Sequence, residues 1–173
     1  METKIIWFTG LSGAGKSTLG KLLYNYLKNK NIKKIKIIDG DIFRKKNKVN
    51  SFTRKNIIHN NFKIINYIQS IKNKYNIIIV SVISPILKTR KFAHKTFKEN
   101  YFEIFVKCSI NKLVKRDTKG LYKLASKNKI KNLIGYNSKI KYEPSFHKKL
   151  IINTGINNKQ KSLGKIIKYV NYF

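Results

Sequence analysis

Acidic residues are scarce in this chain. Seven Asp and Glu stand against 39 Lys and Arg in 173 residues, a formal charge of +32. A single cysteine, Cys108, excludes an internal disulfide and a cysteine-built metal site, and fits a reduced, cytoplasmic setting. Two prolines and nine glycines leave no room for a Pro- or Gly-rich linker. With no internal repeat either, one domain over residues 1–173 is expected, and 42% hydrophobic residues suffice to fill its core. No apolar run approaches the roughly 20 residues that cross a bilayer. The first one, about five residues long, runs directly into glycines, so neither a membrane span nor a signal peptide is expected.

A large basic surplus is the usual footprint of nucleic-acid binding. Here lysine is spread along the whole chain together with abundant Asn, Ile, Tyr and Phe, residues that share A/T-rich codons. Compositional bias is therefore the preferred source of the charge, and nucleic acid is not expected as a partner. The positive field still speeds encounter with polyanionic nucleotides at low ionic strength.

The most informative stretch is IIWFTGLSGAGKSTLG, residues 5–20. Ile5 to Thr9 is β-branched and aromatic, which predicts a short buried strand. Leu19, Leu22, Leu23, Tyr26 and Leu27 then fall on one face of a helix. Between them lies G-x-x-x-x-G-K-[ST], met by Gly10, Leu11, Ser12, Gly13, Ala14, Gly15, Lys16 and Ser17, with Thr18 following. Glycines let successive backbone N–H groups curl around phosphate oxygens, and the helix N-terminus adds a favourable partial charge. Lys16 is expected on the β- and γ-phosphates of ATP and the Ser17 hydroxyl on Mg²⁺. A plain glycine turn before a lysine-rich helix is the competing explanation, and the strand and helix flanks weigh against it.

Further strands are expected at 35–38, 76–83, 101–108 and 149–153. Helical spacing runs through Ile57, Ile58, Ile64, Ile65 and Ile68, and again through Leu163, Ile166, Ile167 and Val170. Strands interleaved with helices predict an α/β fold whose parallel sheet is covered by helices on both faces, with ligands beyond the carboxyl ends of the strands. That rim would gather the glycine loop, Asp39-Gly40-Asp41 and SPILKTR, Ser84 to Arg90. Asp39 and Asp41 use two of only seven acids in one tripeptide; one can hold Mg²⁺ and the other accept a proton from an attacking hydroxyl. A simple Asp-Gly bend is the alternative. The third strand is expected to end in Ser84, where many nucleotide hydrolases carry a magnesium-holding Asp, which points away from a motor or GTPase and toward a small kinase.

These residues resemble the adenylylsulfate kinase family from about residue 5 to 154. WFTGLSGAGKST resembles its phosphate loop, DGDIFR its Asp-Gly-Asp-x-x-Arg, and Ile83-Ser84-Pro85 with Arg90 its Ile-Ser-Pro motif. RDTKGLYKLA, Arg116 to Ala125, is similar to the family's lid signature, and Tyr142-Glu143-Pro144 to the segment that follows. The resemblance implies a P-loop NTPase-type three-layer fold with a lid at about 116–146. It implies transfer of the ATP γ-phosphate to the 3′-hydroxyl of adenosine 5′-phosphosulfate (APS), giving PAPS for sulfate assimilation. Asp41 would be the base near that hydroxyl. Asp39, Arg44, Phe52, Asn60, Ile83, Ser84, Lys119 and Leu133 would line the substrates, with Ser17 and Asp39 on the metal. Ser84 matches a serine assigned in some members as a phosphorylated intermediate, although direct in-line transfer needs no such relay. Association as a homodimer stays open.

FTRKNIIHNNFK, Phe52 to Lys63, departs from the family pattern. Phe52 and Asn60 are retained, but Ile57 replaces an APS-binding arginine, Phe62 replaces another, and Leu133 stands for an adenine-stacking phenylalanine. Isoleucine cannot supply a bidentate clamp, so Arg54 or Lys55 would have to reach in from one turn away. The alternatives are a related kinase for another small hydroxyl or nucleotide substrate, and a basic nucleic-acid-binding protein with a vestigial nucleotide site.

Overall fold

The computed structural model describes residues 2–47, 53–145, 147 and 149–170. Five strands, β1 Lys4–Thr9, β2 Ile35–Asp39, β3 Ile77–Ser81, β4 Tyr101–Lys107 and β5 Leu150–Asn153, form one parallel sheet in the order β2-β3-β1-β4-β5. Helices α1 Lys16–Asn29, α2 Gly40–Lys46, α3 Arg54–Ile71, α4 Leu87–Phe97, α5 Ile110–Arg116, α6 Leu121–Ser126 and α7 Lys159–Val170, with single 3₁₀ turns at Lys72–Lys74 and Lys98–Asn100, complete the described elements.

The pleat of β1 sorts the core into two layers. Ile6 and Phe8 face Leu19, Leu23 and Leu27 of α1 and Ile166 and Val170 of α7. Ile5 and Trp7 point the other way, onto Ile64, Ile65 and Ile68 of α3 and Ala93 and Phe97 of α4. A strand buried on both faces reads as a continuous apolar run, which is why IIWF carries no polar alternation. The expected three-layer P-loop fold is therefore present.

The connections that leave β1 and β3 through α1 and α4 cover opposite faces, so a crevice opens between the carboxyl ends of these neighbouring strands. One boundary differs from the sequence expectation. β3 stops at Ser81, and Ser84 lies three residues beyond it in a turn with φ 43°. Pro85, which cannot donate a ladder hydrogen bond, follows directly.

Candidate active site

The crevice holds a cavity of about 910 Å³. Its floor is the loop from Ser12 to Thr18. Gly10 lies beneath that floor, where a Cβ would sit 2.4 Å from the carbonyl oxygen of Val106, and its φ of 138° is open to glycine. Leu11 packs on the core layer under α1. Gly15 enters the helix at φ 100° with no side chain capping the first turn, so the leading N–H groups of α1 face the cavity.

Lys16 Nζ donates to the Leu11 carbonyl at 2.7 Å. Burial lowers its pKa to about 8; Lys119 pushes in the same direction, against the pull of Asp41 and Asp39.

Asp39 ends β2 and caps α2, its Oδ1 accepting from the Asp41 N–H at 2.9 Å. Its Oδ2 accepts from the Ser17 hydroxyl at 2.6 Å, which unites the two predicted metal ligands. Asp41, in the first turn of α2, is bridged by Lys119 Nζ at 2.5 Å and by Arg44 Nη2 at 3.3 Å. Burial alone would raise the Asp41 pKa, but Lys119, Arg44 and Lys16 outweigh it and hold the carboxyl below its ordinary value. Lys119 comes from the segment after α5, which is tied to the glycine loop by the Tyr122 hydroxyl donating to Ser12 O at 2.9 Å.

Ile83 and Ser84 line the far wall. Ser84 is buried with its Oγ 3.3 Å from the Thr89 hydroxyl. The wholly buried Arg90 donates through Nη1 to the Ser84 carbonyl at 2.5 Å and through Nη2 to the Glu143 carbonyl, pinning the Ile-Ser-Pro turn to the Tyr-Glu-Pro segment. Its charge is answered by Glu103 on β4 at 3.5 Å, itself wholly buried.

The family model for adenylylsulphate kinase matches residues 2–153. The chain belongs to the adenylylsulfate kinase family. It is a nucleotide-binding P-loop kinase. The Archaeoglobus fulgidus probable adenylyl-sulfate kinase is 33% identical over 156 residues, 90% of this chain and 98% of that protein. The Campylobacter jejuni cytidine diphosphoramidate kinase is 33% identical over 164 residues, 95% of this chain and 94% of that one. The Mycobacterium tuberculosis APS kinase CysC, solved in complex with AMPPNP and APS, superposes with a TM-score of 0.88 at 25% identity, covering 99% of both chains. No described helix is long and apolar enough to cross a membrane.

Against the family pattern, the structure brings Lys16, Ser17, Asp39, Asp41, Arg44, Asn60, Ile83, Ser84 and Lys119 to one cavity. Phe52 lies outside the described residues. Leu133 is not on the cavity wall: it packs into the core layer under α1, and the neighbouring Ile134 lines the cavity instead. The N–H of Leu133 donates to Asn137 Oδ1 at 2.8 Å in a tight turn closed by Gly135 at φ 82°, and this turn exchanges the two side chains. Arg54 does not substitute for the missing arginine. It pairs with Glu143 at 2.8 Å, and both Arg54 and Lys55 face a separate hollow on the outer side of α3.

Thr154 and Asn61 are among the wall residues that escaped sequence reasoning. Thr154, after β5, donates to the Ala14 carbonyl at 2.8 Å and braces the glycine loop. Asn61 sits at 2% exposure on the buried face of α3. Its signal was present: among Ile57, Ile64, Ile65 and Ile68 it breaks the apolar helix spacing with an amide.

Proposed function

We propose that the protein transfers the γ-phosphate of ATP to the 3′-hydroxyl of APS, with PAPS and ADP as products. The observation that carries this reading is the placement of Asp41 in the same cavity as the phosphate loop, held by a lysine that can exchange it for a nucleotide.

Lys16 and the first N–H groups of α1 bind and orient the phosphates of ATP. Mg²⁺ fits the donor set: Ser17 and Asp39 offer one hydroxyl and one carboxylate, hard oxygen ligands suited to an ion that takes its remaining ligands from phosphate and water. When bound, it neutralises charge on the transferring phosphoryl group. Asp41, kept ionised by Lys119 and Arg44, takes the proton of the acceptor hydroxyl as its oxygen bonds to the γ-phosphorus and the bridging P–O bond to ADP breaks. Lys119 then has phosphate as a partner in place of Asp41. Direct transfer is supported at Ser84, whose buried hydroxyl is engaged with Thr89 and whose carbonyl is fixed by Arg90.

A second reading, a kinase for a different small nucleotide, is favoured by Ile57. It lines the cavity where the family pattern has an APS-binding arginine, and neither Arg54, paired with Glu143, nor Lys55, on the outer side of α3, takes its place. ATP consumption by purified protein, followed with APS, cytidine diphosphoramidate, AMP or no acceptor, separates the two. Fastest turnover with APS supports the first reading; APS inert beside an active alternative establishes the second.

A further inference from the structure

From Ile64 onward the inner face of α3 is aliphatic, but where the helix passes the cavity its buried positions become Asn60 and Asn61, at 7% and 2% exposure. Both line the cavity, and neither Oδ1 has a hydrogen-bond partner. For Asn61 the assignment of oxygen and nitrogen follows from chemistry. Its amide approaches the Ile57 carbonyl at 2.8 Å, and a carbonyl can only accept, so the NH₂ end faces Ile57 and the oxygen is the end left over.

The cavity is therefore polarised. Arg44 pairs with Asp41, and Lys16, Arg116, Lys119 and Lys159 also line the cavity, whereas the α3 wall of Asn56, Ile57, Asn60 and Asn61 contributes no charged side chain. The buried, unpaired carbonyl oxygen of Asn61 on an uncharged wall is poor company for sulfate, which only accepts hydrogen bonds, and good company for a group that donates them.

We infer that Asn61, with Asn60 beside it, is a specificity-determining residue that reads an –NH₂ group on the acceptor nucleotide. The inference rests on the proposal that an acceptor nucleotide occupies this cavity. The amine has two chemical sources, the exocyclic amine of an adenine or cytosine base, or an amine bonded to the terminal phosphorus. The first is compatible with APS and the second with a phosphoramidate.

The test compares acceptors that carry or lack that group, by kcat/KM at saturating Mg·ATP. The base arm sets APS against inosine 5′-phosphosulfate and cytidine diphosphoramidate against uridine diphosphoramidate. The terminal arm sets cytidine diphosphoramidate against CDP. Wild-type protein is expected to prefer the amine-bearing member of one arm by about tenfold or more, the loss expected when a buried acceptor is left unpaired. In Asn61→Leu that preference is expected to fall to within about threefold. Turnover with no preference in either arm overturns the inference and leaves the kinase reading intact. A preference that survives unchanged in a folded Asn61→Leu also overturns it. Absence of acceptor-dependent turnover with every compound overturns both. The wild-type comparison stands alone should the variant fail to fold.

Discussion

Replacing Lys16 with methionine should make the ligand-free protein more stable while destroying its activity. The ammonium is held in a site that lowers its pKa from 10.5 to about 8, first by burial and then by Lys119. At about 1.4 kcal/mol per tenfold change in ionisation constant, keeping it charged costs folding about 3 kcal/mol at pH 7. Methionine fills a similar volume without charge, but forfeits the hydrogen bond to Leu11 O, worth about 1 kcal/mol. A net gain of about 2 kcal/mol is expected at pH 7. The sign of the pH dependence follows from proton counting. Between about pH 8 and 10.5 the unfolded lysine binds more protons than the folded one, so wild-type stability rises with pH across this window. The advantage of Lys16→Met should accordingly shrink by about 2 kcal/mol between pH 7 and 9.5. Urea unfolding of both proteins at the two pH values, followed by far-UV circular dichroism, measures the gap, and the common contributions of other lysines and tyrosines cancel. Mg·ATP should stabilise the wild type and not the variant. A Lys16→Met protein less stable than wild type at pH 7, or a gap that stays constant with pH, would refute the reasoning.

Five other substitutions are expected to behave as follows. Asp41→Asn should lower kcat by about 10² or more with ATP binding retained, whereas Ser84→Ala should keep substantial activity; a dead Ser84→Ala with phosphoserine trapped by ATP alone would require the covalent route. Ile57→Arg should lower KM for APS by about 10- to 100-fold with kcat little changed if APS is the acceptor, and steady-state kinetics reads the split. Gly10→Ala, which drives a Cβ against the Val106 carbonyl at positive φ, should cost at least about 1–3 kcal/mol in thermal unfolding. Burial, with His94, Arg90 and Lys149, lowers the pKa of His147 against the pull of Glu103. The unfolded chain therefore takes up this proton first, and stability should fall as pH drops below about 6.5; His147→Gln should flatten that limb in pH-dependent melting curves.

Those parts of the fold governed by local patterns were legible in the sequence. β1 and the phosphate loop are written in consecutive residues, and β2, β4 and β5 fall within one residue of expectation because each is an apolar run bounded by polar turns. The long α3 and α7 announced themselves by the spacing of their isoleucines. Helix α4 did not, since only Thr89, Arg90, Ala93 and Phe97 are buried on it and two of those are polar. Its inner face splits between the apolar layer, through Ala93 and Phe97, and an internal ion pair, through Arg90, and so shows no full periodicity of hydrophobic residues.

At the site, the Asp39–Ser17 contact follows from two motifs that each lie at a strand end, so the topology alone joins them. The exchange of Leu133 for Ile134 could not be read, because it depends on how one turn closes. The pairing of Arg54 with Glu143 links positions 89 apart in sequence, and only the folded chain shows that it removes Arg54 from the cavity.

The two halves of the catalytic rim hang from strands of unequal depth. β1 is sealed between layers, with Ile5 to Thr9 all buried, while β2 lies at the sheet edge with only Ile38 buried. Local opening begins where few buried contacts must be broken, so amide hydrogens of β2 should exchange before those of β1. An excursion that frays the edge carries away Asp39 and Asp41 but leaves the glycine loop standing. Under mild denaturant the protein would thus still hold a nucleotide after it had stopped passing on the phosphate, with nucleotide affinity fading only at global unfolding.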